Sequence, residues 1–330
     1  MTLKTRKPTG QVPWPLILVE GPEKSGKSWA CAELSASEQV GQTYWIDLGE
    51  GAADEYGAIP GSRYLVVEHD GSWGDIITQA QAVKEEAQKA AAAGEPPAVL
   101  VIDSMTAEWD LLKEWATDRA KKSAHNRKLL QQDPHAEVSV SMNLWNDATA
   151  RHRRLMTLLL TFPGIVAMTA RGKDVAELDD KGKPVQGGRD YKVEGHKTLA
   201  FDASVWVRMS REHAPLVIGA RSVQAGLRPG VDRPKPIPDF TLEKVVFDVL
   251  GCEPKTAQVR DVRELNGKDQ PDPLKAVKAE VWALAQARGW DAEALSEDYA
   301  QTYEGKLLGQ ATVDDLTEYR DILAHAKEAA

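Results

Sequence analysis

Two cysteines in 330 residues, Cys31 and Cys252, stand far apart and in no metal-type spacing. That excludes a disulfide framework and a zinc site, and both thiols read as small buried side chains in a reducing compartment. Long apolar runs are missing as well. The one near the start, Trp14 to Val19, follows Lys4, Arg6 and Lys7 but is too short for a signal peptide or a membrane span. A cytoplasmic chain without membrane attachment is therefore expected. Excess base is absent too: the net charge is −9, which argues against indiscriminate adhesion to nucleic acid. No internal repeat occurs.

The charges are unevenly placed. Residues 119–128 hold Arg119, Lys121, Lys122, Arg127 and Lys128 with no acid among them. Residues 273–330 hold eleven acids against six bases, which disfavours DNA binding there and favours docking of a protein partner or a regulatory tail.

With 42% apolar residues the chain can bury a proper core, and its length suits one large α/β domain with a small appendage. Residues 14–20 read as a buried strand and 27–37 as a helix after a glycine-rich turn. Further strands are expected at 43–48, 63–68, 98–103 and 164–170, with helices at 73–92, 105–120 and 143–161. Strands that alternate with helices and are apolar without alternation indicate a mostly parallel sheet covered on both faces. Residues 121–141 read as basic and irregular, and 171–197 as a long polar, glycine-containing loop of the functional or mobile kind. Strands near 199–209 and 215–221 complete the sheet. The expected organisation is an N-terminal extension (1–13), a core (14–251), a linker (252–272) and a helical module (273–330), whose Trp282, Trp290, Tyr299, Tyr303 and Tyr319 supply a small core.

The segment Gly21-Pro22-Glu23-Lys24-Ser25-Gly26-Lys27-Ser28 satisfies G-x-x-x-x-G-K-[ST], with a strand before it and a helix after it, and these eight residues with Trp29 are the expected nucleotide-binding set. Glycines let successive backbone N–H groups and the helix N-terminus face phosphates, Lys27 reaches the β- and γ-phosphates, and the Ser28 hydroxyl is a Mg²⁺ ligand. ATP with Mg²⁺ is the expected ligand pair. Asp103, ending an apolar strand, is placed to hold the metal through water; the alternative is that Asp103 or Ser104 caps the next helix. A group that activates water is also needed, and Asp47, Glu50 and Glu68 all stand at strand ends.

The pieces GPEKSGKS (21–28), YWIDLGEGAADEYG (44–57), VLVIDSMTAEWD (99–110) and GHKTLAFDASVWVRM (195–209) resemble the RecA/RadA recombinase core. More narrowly, they resemble the minimal RecA-like ATPases of bacteriophages described as single-strand annealing proteins. The resemblance spans about residues 14–225. It implies a RecA-like P-loop fold, Glu50 as the water-activating acid, and Arg221 as a basic residue reaching a neighbouring subunit's site in a ring or filament, with Arg208, Arg211 and Arg228 as alternatives and an ordinary surface arginine as the bland reading of each. It also implies single-stranded DNA held by two loops, with Lys121, Lys122, Arg127 and Lys128 near the first and Arg171, Lys173, Lys183, Arg189 and Lys192 in the second, Lys181 and Lys197 beside them. Solvated surface segments are the bland alternative for both. Only about a dozen residues precede the first strand, so ATP-dependent binding, annealing or partner loading is expected rather than full strand exchange; if the source is a phage, the compartment is the host cytoplasm. A helicase, a packaging motor, or a nucleotide-gated protein-binding module with little turnover are the competing readings.

Overall fold

The computed structural model describes residues 3, 5–178, 183–228, 231–253, 257, 259, 260, 273–303, 306–311 and 313–325. The chain divides into two compact units, 1–262 and 263–330.

The first unit is built on β1 (Leu16–Gly21), β2 (Thr43–Asp47), β3 (Tyr64–Val66), β4 (Val99–Asp103), β5 (Ile165–Leu178), β6 (Pro184–Glu194), β7 (Val205–Arg208), β8 (Leu216–Ala220) and β9 (Lys235–Pro236). Their order in one sheet is β3-β2-β4-β5-β1-β7-β8-β9, with β6 pairing β5. All pairings from β3 to β7 are parallel, and the antiparallel β8 and β9 close one edge. This is the mostly parallel, helix-flanked sheet expected from the sequence. The strand preceding the phosphate loop, β1, is separated from the acid-tipped β4 by β5, so three strand ends meet at the site rather than two.

Helices α1 (Lys27–Ser35), α2 (Ala53–Tyr56), α3 (Trp73–Ala92), α4 (Met105–Lys121), α5 (Ala124–Gln132), α6 (Met142–Leu160) and α7 (Leu199–Asp202) connect the strands. Because side chains alternate across each strand, the buried run of β1 serves both faces. Ile17 and Val19 join Leu34 of α1 and Val245 and Val246 of a π-helical turn, whereas Leu16 and Leu18 join Ile77 and Val83 of α3 and Leu155 and Leu159 of α6. β1 and β4 are buried at every position, which is why their runs are apolar without alternation.

Two expectations are corrected. Residues 171–178 and 184–194 are not a loop: β5 runs on beyond the sheet's C-terminal edge and pairs antiparallel with β6 as the two arms of a hairpin. Its glycines and charges suggested a loop because one face of this ribbon is wet. At Gly172 a Cβ would run into the Tyr191 hydroxyl and the Glu20 carboxylate, so the glycine marks a close approach rather than a bend. Similarly, the basic stretch after residue 121 is not irregular, since α5 occupies 124–132, capped by Ser123.

The second unit comprises α8 (Pro273–Gln286), α9 (Ala292–Thr302) and α10 (Val313–His325). Tyr299 and Tyr319 stack edge to face with centroids 4.9 Å apart, and the Tyr319 hydroxyl donates to Asp298 at 2.5 Å. Trp290 and Tyr303 pack against this core, but Trp282 does not: it is 38% exposed.

Candidate functional site

The phosphate loop curls as its motif demands. Gly26 adopts φ 90° and Lys24 φ 57°, both left-handed, which turns the loop into the start of α1. Lys27 Nζ donates to Pro22 O at 2.8 Å and Gly21 O at 3.1 Å. Burial pulls its pKa down, while Asp103, Glu50 and Glu20 act to raise it. Ser25 Oγ donates to Pro22 O at 2.8 Å.

Beside this loop a cavity of about 360 Å³ opens at the C-terminal ends of the central strands, lined on the facing side by Glu50, Tyr56, Asp103, Thr169 and Arg171. Trp29 stands at its margin, half-exposed, edge-on to Tyr56 with centroids 5.8 Å apart.

Asp103 is 2% exposed, and Ser104 rather than Asp103 caps α4, accepting from the Ala107 N–H at 3.3 Å. The cap is thus supplied by Ser104, and the Asp103 carboxylate lines the cavity. Its Oδ1 accepts from the Thr169 hydroxyl; Oδ2 has no hydrogen bond among the described residues. Burial raises its pKa, opposed by the hydroxyls of Thr169 and Ser28. A buried carboxylate oxygen without a partner, beside a serine hydroxyl, is the oxygen donor set a hard divalent cation takes, with phosphate and water completing the shell. Ser28 and Asp103 would hold Mg²⁺, which when bound neutralises phosphate charge.

Among the three acids, the geometry separates one. Asp47 Oδ1 is committed to the turn after β2, accepting from the N–H groups of Gly49, Glu50 and Gly51 at 2.9, 2.8 and 3.2 Å. Glu68 is exposed and outside the cavity. Glu50 lines it: Oε1 accepts from Ser104 Oγ at 3.0 Å and from Arg171 Nη2 at 2.8 Å.

The hairpin brings Arg171, Lys173 and Lys192 together beside this cavity. Lys183 immediately precedes β6 and is exposed, Arg189 lies on β6 with a side chain outside the described residues, and Lys181 lies outside them altogether. Lys121, Lys122, Arg127 and Lys128 are exposed; Lys121 ends α4, about 23 Å by helix rise from Thr106, which meets the hairpin, and Arg127 and Lys128 lie on α5. Arg221 follows β8 at the end of the sheet opposite the phosphate loop, donating to Phe201 O, and does not line the cavity beside that loop.

Two groups escaped the sequence. Glu20, fully buried one residue before the phosphate loop, accepts at Oε1 from Arg208 Nε at 2.7 Å and Trp206 Nε1 at 2.9 Å, and Arg208 in turn lies 4.0 Å from the Tyr191 ring centre. The second is a buried cluster: His152 Nδ1 meets Glu108 Oε2 at 3.0 Å, and the His152 ring lies 4.3 Å from that of His196, which follows β6. Burial, then the neighbouring His152, lower the His196 pKa from 6.5 to about 4. The unfolded chain therefore binds a proton that the folded chain refuses between those values, so this contribution is full above pH 6.5 and is lost as pH falls towards 4. Urea unfolding at pH 7 and pH 5 should show a loss on the order of 2 kcal/mol that His196→Gln removes from the pH difference. An unchanged pH difference in that variant would refute the assignment.

A family model described as AAA domain matches residues 15–202. Among solved structures, the chain is similar to one titled crystal structure of the RadB recombinase, with a TM-score of 0.36 and 14% identity, over 69% of this chain and 86% of that one. No curated protein matches it.

Proposed function

The chain belongs to the AAA domain family, and on that footing we propose that it binds ATP with Mg²⁺, hydrolyses the γ-phosphate, and does so in response to single-stranded DNA, in phage-type recombination, annealing or replication. The observation that carries this reading is the convergence of the phosphate loop, Asp103 and Glu50 on one cavity whose rim continues into a basic hairpin.

The chemistry divides among named groups. Backbone N–H groups of 23–28 and Lys27 take the β- and γ-phosphates, giving up the loop carbonyls that Lys27 now holds. Ser28 and Asp103 hold the cation, and Thr169 fixes the carboxylate that does so. Glu50 orients or deprotonates the attacking water. The Trp29–Tyr56 pair offers an aromatic surface where a base could stack. Arg221 would act on a second copy in a ring or filament, and the acidic module 273–330 would dock a protein partner.

Steady-state hydrolysis by the wild type, with no nucleic acid, with single strands and with duplex, tests the reading at low and moderate salt. Single strands should raise the rate several-fold and duplex much less, with the effect fading as salt rises because phosphate contacts release counterions. Equal rates in all three conditions, with no salt-dependent binding, would leave an ATPase whose ligand is a protein or a small molecule.

A further inference from the structure

Next to the nucleotide cavity lies a second one of about 340 Å³, between the N-terminal turns of α4 and the hairpin, whose walls include Trp109, Lys113, Arg171, Lys173, Lys192 and Glu194. Three features of it are unusual together.

The first is a like-charge pair. Lys173 and Lys192 stand directly opposite each other across the hairpin, an arrangement that repels and that an anion between them would relieve. The second is a crossed pairing. Arg171 stands opposite Glu194 in the same register, yet its guanidinium reaches away to Glu50 at 2.8 Å, while Glu194 is taken by Lys173 at 2.6 Å. Residues 171, 173, 192 and 194 share one face of the ribbon, so Arg171 has two acids within reach, one at the nucleotide site and one on its own hairpin. The third is rigidity beneath them. Tyr191, on the other face, packs under Arg208, whose partner Glu20 abuts the phosphate loop, and Thr106 Oγ1 donates to Glu194 O at 2.6 Å while accepting from the Arg171 N–H at 2.9 Å. The side chains can exchange partners while the backbone stays put.

We propose that this cavity binds a phosphodiester of a single strand between Lys173 and Lys192, and that binding switches Arg171 from Glu50 to Glu194. With Arg171 on Glu50, the carboxylate that should accept a proton from water is held in an ion pair. A phosphate drawn to Lys173 strips that lysine from Glu194, Glu194 takes Arg171 across the strand, and Glu50 is left with Ser104 alone. The ligand class rests on the reading of the hairpin as a nucleic-acid element; the brake on Glu50 does not. Because Arg171 is 55% exposed in this pair, the brake is weak and readily displaced, which suits a switch driven by a few phosphate contacts.

The test uses the full chain. Hydrolysis is measured without nucleic acid and with a single-stranded oligonucleotide, and oligonucleotide affinity is measured by fluorescence anisotropy against salt with no nucleotide present. Arg171→Gln should raise the unstimulated rate roughly fivefold and respond little further to single strands, with Arg171→Lys in between. Glu194→Gln should bind the oligonucleotide at least as tightly as wild type yet lose most of the stimulation, and Lys192→Gln should reduce the salt slope by about one. An Arg171→Gln protein that keeps its circular dichroism but hydrolyses more slowly without DNA would overturn the brake, since Arg171 would then serve the phosphates. So would a Glu194→Gln protein stimulated like wild type. A wild type that neither binds nor answers to single strands would sink the ligand class together with the function proposed above, while a faster Arg171→Gln in that same experiment would still establish the brake.

Discussion

Lys27→Ala is expected to lower the hydrolysis rate by at least about 100-fold, the scale on which removing one preorganised charged donor acts. The argument is local. Lys27 opens α1 directly after the phosphate loop, and its ammonium spends its hydrogen bonds on the Gly21 and Pro22 carbonyls of that same loop. Those carbonyls face water or a cation once the ammonium moves to a phosphate oxygen, so the exchange costs the fold little. Removing the side chain should accordingly leave the thermal midpoint within a few degrees of wild type. Loss of turnover with an intact melting curve is the outcome required. Turnover within a factor of a few of wild type would mean that the loop, for all its geometry, does not carry the reaction.

Glu50→Gln separates binding from chemistry. Glutamine keeps the size of the side chain and can still accept from Ser104, but it cannot take a proton, so turnover should fall about 100- to 1000-fold while ATP still binds. Binding can be followed through Trp29, which stands at the cavity margin against Tyr56. The contrast with Asp47→Asn is informative: Asp47 holds three backbone N–H groups, so its loss should loosen the turn that carries Glu50 and reduce turnover indirectly, with a drop in thermal midpoint that Glu50→Gln does not share. If Glu50→Gln hydrolysed normally and Asp47→Asn did not, the roles assigned to the two acids would be reversed.

Much of the nucleotide cavity was legible because its parts obey short-range rules. A phosphate loop favours glycine where the backbone turns left-handed into the helix, as at Gly26, and needs that helix immediately after it, and both features are written within eight residues. The acid at the end of β4 was legible for a similar reason, since an apolar strand buried on both faces ends in a charge only where it reaches a site or a cap. Ser104 settled which: a serine hydroxyl one residue later satisfied the helix N-terminus and left Asp103 to the cavity.

The hairpin was misread because its strand character is not intrinsic. Residues 171–178 carry no apolar alternation that would announce a strand; they are extended because they continue a central strand past the sheet edge and pair there with 184–194. Nor could spacing reveal that Glu20 is buried. A glutamate at a strand end reads as solvated, and it is covered only because β7 lies beside β1 in a register that sets Arg208 against it.

From its residues alone the chain committed itself to a parallel, doubly covered sheet, a phosphate loop and a carboxylate facing it, because those depend on hydrophobic runs and on backbone chemistry between near neighbours. Only the folded arrangement decided which acid enters the cavity, that Thr169 of the intervening β5 holds Asp103, and that Arg171 is shared between the nucleotide site and the hairpin. Each of those rests on strands distant in sequence being brought into register, and register is set by how whole elements pack.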